Sequence, residues 1–595
     1  MANQNPSQDV NHHRPRLSCD DDSFQSSVAG EGALSQLSDV IRTMSNRDAA
    51  CRYETEKADN GIGISKETHS DSSQDTYNNR TILSWDKDDP ENPYNWSSRR
   101  KILIVITTML IVINSTMGTT LPSMAVPYMT AEWGVTSVTQ EILPTSTYLI
   151  GYVSSFHDKH QLTLFRFVLG PMLWGPLSEH IGRRNLTIAT FIAFTAWTLG
   201  CALAPNWPAF LVFRLFCGAF ASSPIAVITG ILADIYDDPA QRGAALSYFM
   251  AMTIGGPLLA PIISGFCSTT IGWRWTFWVA LIYAGVTLIG VVLLPETYGP
   301  VLLSRRAQKI RKADPTSQVY AAFELEDKDL KQVVTRVLTR PIRMILTELI
   351  VSATCAYLAL LYAIFYISFT AFPIIFQDLY GLSPGVTGLL FLPIGLGSLI
   401  ALAIFFAWDN YLRKSISEGR PWTKKEEHLR VPLATLGGPI FVASLFWLGF
   451  SAKLSVHFIV PSLSGIGFGI GFMLVFIGML NYLTDAYEIY AASANAAASS
   501  ARSLLAVVLP LASTPLFDRL GIAGACSLLA GLSLLLSVIP FLFIWKGERI
   551  RAGSKFCIAL KERKREMQLK AEGESSRDEP ENGGVIFENQ TKETV

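Results

Sequence analysis

The sequence predicts an all-α membrane protein in which two six-helix bundles are related by a pseudo-two-fold axis. Hydrophobic residues make up 49% of the 595 positions and charged residues only 16%, a balance typical of bilayer proteins. Twelve apolar windows have about the 20 residues that a helix needs to cross ~30 Å of hydrocarbon. The hydrophilic segment 295–344 divides these windows into two sets of six, as a duplicated unit requires.

The predicted spans and the charges between them give the topology. Lysine and arginine are concentrated in every second connection, whereas the connections 125–140, 205–207 and 373–384 contain neither. By the positive-inside rule, both termini are predicted to be cytoplasmic. The approximate bounds of the spans are 102–124, 141–178, 186–204, 208–232, 244–268, 273–294, 345–372, 385–408, 431–450, 456–480, 493–517 and 521–545.

Five regions follow from this topology. Residues 1–84 are polar and contain no apolar signal segment, so we expect a disordered cytoplasmic tail. Trp85 and Trp96 flank a proline-broken acidic stretch before the first span and are predicted to lie at the membrane interface. The other regions are an N-terminal bundle at 85–294, a central cytoplasmic loop at 295–344 with a helix-compatible run from Leu330 to Leu338, a C-terminal bundle at 345–545 and a cytoplasmic tail at 546–595.

The second span contains a stretch that is too polar to face lipid, running from Ser154 to Gln161 with two histidines, an aspartate and a lysine. Each charge near the bilayer centre costs about 2.5–3.5 kcal/mol. Without residues 153–167, Tyr152 would join Val168 in one span of ordinary length. We therefore expect 153–167 to be a foreign insert, such as an unspliced intron; the alternative is a broken helix that extrudes a loop.

Several function classes are excluded by composition and motifs. Zero formal net charge provides no basic field for nucleic acid, and no His/Cys group has metal-ligand spacing, so neither a metal nor a cofactor is predicted. The sequence lacks the G-x-x-x-x-G-K-[ST] phosphate loop of an ATP-driven pump. It also lacks H-E-x-x-H and a convincing nucleophile–base pair, so an enzyme is not predicted.

One charged loop stands between the second and third spans. It runs from Gly175 to Arg184 and places Glu179 four and five residues before Arg183 and Arg184, with Gly182 permitting a tight turn. The second set of spans repeats the acid and the first base at the same offset, as Asp409 and Arg413. This echo is what a duplicated six-helix unit requires.

Two spans carry residues that are unusual inside a membrane. Arg214 lies in the fourth span, where a guanidinium needs a water-filled cavity or a polar partner, although it could instead extend outward to the interface. The fifth span has Gly256, followed by Pro257, Pro261 and Gly265 at intervals of four, which predicts a kinked face without bulky side chains.

Candidate substrate contacts come from aromatic and polar residues of the seventh and first spans. Tyr362, Tyr366 and Phe369 share a helical face, and Asn114 interrupts an apolar run. Such a surface suits large amphipathic or cationic solutes through stacking and cation–π attraction, although the rings could equally pack against lipid or neighbouring helices.

These motifs together resemble the major facilitator superfamily and, within it, the fungal drug:proton antiporters with twelve spans. The charged loop is similar to G-x-L-x-D/E-x-x-G-R-R, and the Arg214–Gly218 element to the family's fourth-helix motif. The fifth span resembles G-x-x-x-G-P-x-x-G-G, with Ala260 and Ser264 at small-residue positions. Further resemblance lies in Leu294-Pro295-Glu296-Thr297-Tyr298, in the segment from Trp85 to Trp96, and in the segment from Asn481 to Arg502, where Ala496–Ala501 replaces a bulkier run.

The resemblance implies a monomeric plasma-membrane exporter that couples the outward movement of small molecules to protons by alternating access. It implies a gating role for the charged loop and for Asp409 and Arg413, and a proton-coupling role for Arg214. Asp234, on the same helix, is the second proton-coupling candidate. The alternatives are a carrier of polyamines or secondary metabolites and a non-transporting membrane sensor on the same scaffold.

Overall fold

The computed structural model of the protein describes residues 81–86, 88–153, 170–325, 330–487, 490–554, 556–562 and 565. Described residues within Ile82–Phe323 and Asp327–Val595 belong to one compact unit. A second unit, Met1–Thr81 with Glu324–Glu326, contributes only three described residues. The predicted N-terminal tail therefore lies almost entirely outside the described residues.

Six long helical elements, the second of them described in two parts, make up the N-terminal half. They are apolar between charged ends, so that backbone groups are paired within each helix and side chains face lipid or neighbouring helices. Residues 154–169 lie outside the described residues, and with them nearly all of the predicted insert 153–167. The elements are α1 (Ser98–Thr120), α2a (Val138–Val153), α2b (Gly170–Ile181), α3 (Arg183–Ala202), α4 (Trp207–Ile235), α5 (Pro239–Thr270) and α6 (Arg274–Leu293).

The C-terminal half repeats this plan. A seven-residue π-helical turn, Pro373–Leu379, extends its first helix, and a short helix, Pro384–Leu389, precedes its second. The long helices are α7 (Leu349–Phe372), α8 (Leu392–Ser417), α9 (Glu427–Ser451), α10 (Ile459–Tyr487), α11 (Ala491–Leu511) and α12 (Ser513–Ala552), the last with a kink at Gly521.

Shorter elements fill the connections. The central segment contains the helices Gly299–Ala313, Ala322–Leu325 and Leu330–Thr347, and the last of these confirms the helix predicted from Leu330. Two strands, β1 (Thr81–Leu83) and β2 (Val319–Ala321), form a two-stranded sheet. The 3₁₀ turns Pro93–Asn95 and Pro421–Lys424 complete the set.

Eleven helices of the described chain are long and apolar enough to cross a membrane. They coincide with every predicted span except the second, whose two described parts are only 16 and 12 residues long. The architecture of two six-helix sets is therefore confirmed by the helices themselves, and α2a with α2b occupies the place of the second span.

One local prediction was wrong. The connection 125–140, expected to be a loop, contains the helix Val126–Trp133, because Pro127 suits a first helical turn and Gly134 ends the helix at φ 65°. Trp96 is buried in the hydrophobic core of the N-terminal half, and the Arg100 guanidinium lies 3.7 Å from its ring centroid, while its position at the membrane interface stays a prediction.

Small residues set the closest helix contacts within each half. A Cβ on Gly471 of α10 would lie 2.6 Å from the Phe441 backbone nitrogen of α9, and one on Gly151 of α2a would lie 3.0 Å from the Ala219 nitrogen of α4. Such backbone-to-backbone packing is the usual way in which membrane helices associate, because lipid offers no hydrophobic drive between them.

The two halves meet along two pairs of helices. α2a packs against α11, and α5 packs against both α8 and the short helix before it. The hydrogen bond from Tyr366 Oη to Thr119 Oγ1, 3.2 Å long, joins α7 to α1, and Tyr248 of α5 touches Phe406 of α8 with ring centroids 5.6 Å apart. The two halves are thus in contact through several pairs of helices.

Candidate functional site

The charged loop of the N-terminal half is almost entirely helical. Gly175 to Ile181 are the last turns of α2b, α3 begins at Arg183, and Gly182 alone connects them at φ 99°. The expectation of a tight turn at Gly182 is confirmed, whereas the ten-residue loop is corrected to a single residue. Gly182 is required because a non-glycine residue is strained at this φ and because a Cβ would lie 3.1 Å from Glu296 Cδ.

This turn holds an ion-pair cluster at the end of the N-terminal bundle. Arg183, buried against α4, lies 3.1 Å from Asp234 Oδ2 and 3.6 Å from Glu179 Oε1. Glu296, at the end of α6, accepts hydrogen bonds from the backbone N–H of Arg183 at 2.9 Å and of Thr297 at 3.1 Å. The cluster therefore fastens α2b, α3, α4 and the end of α6 to one another.

Arg184 takes no part in that cluster. Its Nη2 donates to the Val292 carbonyl at 3.1 Å, which attaches the start of α3 to the end of α6. Gly175, the first residue of the predicted loop, lies inside α2b, and no atom of a described residue lies within 4 Å of an added Cβ there.

The C-terminal half has an equivalent cluster. Asp409 and Arg413 are one turn apart within α8 and form an ion pair at 2.5 Å, and Arg430 of α9 lies 3.6 Å from Asp409. Arg430 also lies 3.2 Å from Asp485, near the end of α10. The repeat of acid and base seen in the sequence is therefore also present in the structure. Asp485 lies near the end of α10, as Asp234 lies near the end of α4.

Two carboxylates outside the spans have pKa values that are lowered by hydrogen bonds from neighbouring side chains. A hydrogen bond from Arg306 keeps the pKa of Asp89 below its ordinary value. Burial raises the pKa of Glu132, but hydrogen bonds from Trp273 and Arg274 outweigh it, so that the pKa of Glu132 is also lowered. Both carboxylates are thus ionised structural partners.

Arg214 is completely enclosed, with 2% of its surface exposed. The alternative of a side chain extending to the interface is therefore excluded. Its three donor nitrogens bond to backbone carbonyls: Nε to Pro144 at 2.9 Å, Nη1 to Gly118 at 2.6 Å and Nη2 to Thr119 at 2.9 Å. Its guanidinium carbon also lies 4.4 Å from the ring centroid of Tyr148.

These carbonyls are available for a physical reason. Gly118 and Thr119 are in the last turn of α1, where carbonyls lack helical donors, and Pro122 cannot supply the N–H that would otherwise reach Gly118. The end of a helix also carries a partial negative charge. Among the described residues, no carboxylate lies within 4.0 Å of Arg214, so α1 takes the place of a counter-ion.

A small cavity adjoins Arg214 inside the N-terminal half. Its volume is about 10 Å³, enough for about one water molecule. Asn114 lines it and donates to Thr287 Oγ1 of α6 at 2.8 Å, while Cys201 and Cys217 lie opposite with their sulfurs 4.0 Å apart. This cavity is too small for an organic substrate.

The kinked face of α5 divides its contacts between the two halves. An added Cβ on Gly256 would lie 2.9 Å from the Met117 nitrogen of α1, whereas one on Gly265 would lie 2.7 Å from the carbonyl carbon of Pro384 in the other half. Thr120 of α1 donates to the Pro257 carbonyl at 2.9 Å, an acceptor freed because Pro261 has no N–H. The expectation of close helix contact is thus met on both sides.

The candidate substrate residues of α7 fall into two groups. Phe369 stacks on Phe391 with centroids 5.0 Å apart and belongs to the core of the C-terminal half. Tyr362 is half-buried, and its ring makes an edge contact with Tyr366 at 5.0 Å. Of these candidates, Tyr366 reaches the other half, through its bond to Thr119.

Sequence reasoning missed four participants. Glu296 was interpreted only as part of a helix stop, and Arg430 and Asp485 were not linked to Asp409. Arg502 of α11 was noted only as part of a family segment, yet its guanidinium lies 5.3 Å from the Tyr362 ring centroid. The available signal was a charged residue in the middle of an apolar span, the same signal that identified Arg214.

Comparison with known proteins agrees with this arrangement. The family model for the Major Facilitator Superfamily matches residues 108–510. The chain is 35% identical over 480 residues to "MFS transporter prlG" of Fungal sp. (strain NRRL 50135), covering 80% of this chain and 97% of that protein. It is 36% identical over 484 residues to "MFS-type efflux pump MFS2" of Trichophyton rubrum, covering 80% of this chain and 77% of that protein.

A solved structure with the same fold is the proton:xylose symporter XylE of E. coli. The TM-score is 0.54 at 17% sequence identity, and the similarity covers 76% of this chain and 96% of XylE. At that identity the similarity concerns the fold alone. With the matched family model, the two fungal relatives and the paired six-helix architecture, this chain belongs to the major facilitator superfamily and is an integral membrane transporter.

Proposed function

We propose that this transporter exports amphipathic small molecules from the cytosol across the plasma membrane, in exchange for protons and as a monomer. The observation that carries the proposal is Arg214, a buried charge that ties α4 to the end of α1 and to α2a. A fixed charge in the middle of a helix bundle is typical of a transport pathway. The fungal relative named as an efflux pump supports the outward direction.

The two ion-pair clusters are proposed to act as latches at the cytoplasmic ends of the bundles. Arg183 with Asp234, and Arg430 with Asp485, join helices that have to separate or tilt when the halves move. The same assignment gives five regions: the tail 1–84, the bundles 85–294 and 345–545, the connector 295–344 and the tail 546–595. Both tails and the connector are proposed to be cytoplasmic.

Asp234 is the proposed proton acceptor. Its carboxylate touches Arg183 at 3.1 Å and the Thr297 hydroxyl at 3.3 Å. Protonation would remove the negative charge that holds Arg183 and would loosen the N-terminal latch. Coupling between proton uptake and helix movement would follow from this single contact, while Arg214 would keep its charge throughout the cycle.

The test is efflux of a compound panel from cells that lack their own exporters, with and without a proton uncoupler. We expect at least one amphipathic compound to be retained less by cells with the transporter, and the difference to disappear with the uncoupler. Asp234→Asn should abolish the uncoupler-sensitive part, whereas Asp237→Asn, an exposed neighbour, should not. Efflux that persists without a proton gradient contradicts antiport, and no efflux of any compound contradicts export.

A further inference from the structure

The middle of the described spans carries an unbalanced charge. The described glutamates and aspartates of the spans lie toward the helix ends, for example Asp234 and Asp485, or pair with an arginine, as Asp409 does with Arg413. Two arginines, Arg214 and Arg502, are buried within the described spans with no described carboxylate within 4.0 Å. Such charges are costly in hydrocarbon and need compensation.

The two arginines are compensated very differently. Arg214 has three carbonyl acceptors at the negative end of a helix. Arg502 is 9% exposed, and the one hydrogen bond that it makes to a described residue, from Nη2 to Ser499 Oγ, is 3.4 Å long and therefore weak. Its Nε is buried without an acceptor among the described residues, and no described carboxylate lies within 4.0 Å of it.

Aromatic rings of two other helices surround this guanidinium. Its carbon lies 5.3 Å from the ring centroid of Tyr362 in α7 and 5.9 Å from that of Phe476 in α10. The rings of Tyr362 and Phe476 are tilted to each other with centroids 6.1 Å apart, and Tyr362 is the half-exposed member. We call Arg502, Ser499, Tyr362 and Phe476 the Arg502 cluster.

The position of the cluster fits a substrate better than a lipid headgroup. Arg502 is the twelfth of the 21 residues of α11. At 1.5 Å per residue it is about 15 Å from either end of that helix, which is far from the headgroup layer. Tyr362 also continues, through Tyr366, to Thr119 of the other half, so the cluster lies at the boundary that moves during transport.

We propose that the transported compound is an amphipathic organic anion, an aromatic or conjugated carboxylate or enolate whose negative charge binds Arg502. The flat ring of the compound would lie against Tyr362 and Phe476, and its anionic oxygens would supply the acceptors that the guanidinium lacks. A planar guanidinium binds a carboxylate through two parallel hydrogen bonds, and the bond is strengthened by charge and by exclusion of water. A cationic solute would instead be repelled by Arg502.

This inference rests on the proposed export function and narrows it, because the sequence alone suggested cationic or amphipathic solutes. Ala496, Ala497 and Ala498, which precede Ser499 in α11, make this part of the helix less bulky beside the cluster. Neither Ala497 nor Ala498 is exposed.

The test compares three probes that share one ring system and differ in charge: naphthalene-2-carboxylate, naphthalene-2-carboxamide and 2-naphthylmethylammonium. Binding to the full-length transporter in lipid nanodiscs is measured by ligand-dependent thermal stabilisation. We expect the carboxylate to bind at least tenfold more tightly than the amide or the ammonium. This comparison on the unmodified chain needs no variant. Equal binding of the three probes, tighter binding of the ammonium, or no binding of the carboxylate overturns the proposal.

Variants then assign the preference to Arg502. Arg502→Gln should weaken carboxylate binding at least tenfold and remove the preference, and Arg502→Lys should retain part of it. Arg519→Gln, the same change at an exposed arginine of α12, should leave the preference intact. A preference that survives Arg502→Gln refutes the assignment. Carboxylate binding without any cellular efflux would contradict only the export function, and efflux of cations alone would contradict only the anion site.

Discussion

At the residue scale, a buried arginine is stable here because a helix end is shaped to receive it. Pro122 removes the donor that Gly118 would have had, and the last turn of α1 then presents carbonyls toward α4. The positive charge of Arg214 meets the negative end of the helix dipole, so that three helices are joined without a carboxylate. Because a guanidinium keeps its proton, this junction should be independent of pH.

Replacing Arg214 by glutamine should destabilise the transporter strongly. Glutamine can reach at most one of the three carbonyls, and each buried carbonyl left unpaired costs about 1–3 kcal/mol, which predicts a loss of about 2–6 kcal/mol. Thermal unfolding of the purified protein in nanodiscs measures the effect. Arg519→Gln, at an exposed position, is the matched control. An unchanged midpoint for Arg214→Gln would refute the role of these bonds.

Gly182 has a backbone conformation that favours glycine, and its lack of a side chain leaves room for Glu296. Gly182→Ala should cost more than Gly419→Ala, although both glycines have positive φ, 99° and 67°. The strain of that conformation is about 1–3 kcal/mol in both variants. At Gly182 the added Cβ collides with the buried carboxylate of Glu296, whereas at Gly419 it meets no atom of the described residues within 4 Å. Equal losses of thermal stability in the two variants would show that the Glu296 contact is unimportant.

At the element scale, α5 is the helix that touches both halves most closely. Its glycines and prolines allow α1 to approach from one side and the Pro384–Leu389 helix from the other. A Cβ on Gly388 would lie 2.6 Å from the Pro261 carbonyl, so both partners contribute backbone to the crossing. Backbone atoms cannot move aside as a flexible side chain can.

Gly265→Ala should therefore push the two halves apart at this crossing. We expect reduced transport. We also expect faster labelling of a cysteine introduced at Thr387, which is fully buried in the short helix that forms this crossing. Gly255→Ala is the matched control, since it lies on the same helix and no atom of the described chain is within 4 Å of the added Cβ. Labelling and transport that are equal in the two variants would contradict a tight crossing.

At the scale of the whole molecule, the sequence predicted the architecture because each span has to be long and apolar to cross a membrane. It could not predict the partners of single charges. Whether Arg214 points outward or inward depends on the carbonyls at the end of α1. One of these belongs to Thr119, which precedes Arg214 by 95 residues in the sequence. Arg430 and Asp485 meet only after α9 and α10 pack, and the shortness of the turn at Gly182 depends on α2b continuing to Ile181.

At the same scale, the distribution of contacts favours movement of each half as a unit. Ion pairs and buried carbonyl bonds lie within each half, whereas the described contacts between halves are helix crossings and a few weaker polar bonds, such as Tyr366 to Thr119 and Gln377 to the Met124 sulfur at 3.2 Å. Breaking the contacts between halves therefore costs less than deforming either half. Rigid tilting of one bundle against the other is the motion that this distribution of contacts favours.

Electron–electron distance measurements between spin labels test that motion most directly. One pair, Asn185 with Ser417, lies at the ends carrying the two ion-pair clusters, and the other, Asn206 with Ser455, lies at the opposite ends; all four residues are exposed. When pH or a transported compound is changed, we predict that one distance lengthens while the other shortens. Two distances that stay constant, or that change together, would contradict a transporter built from two tilting bundles.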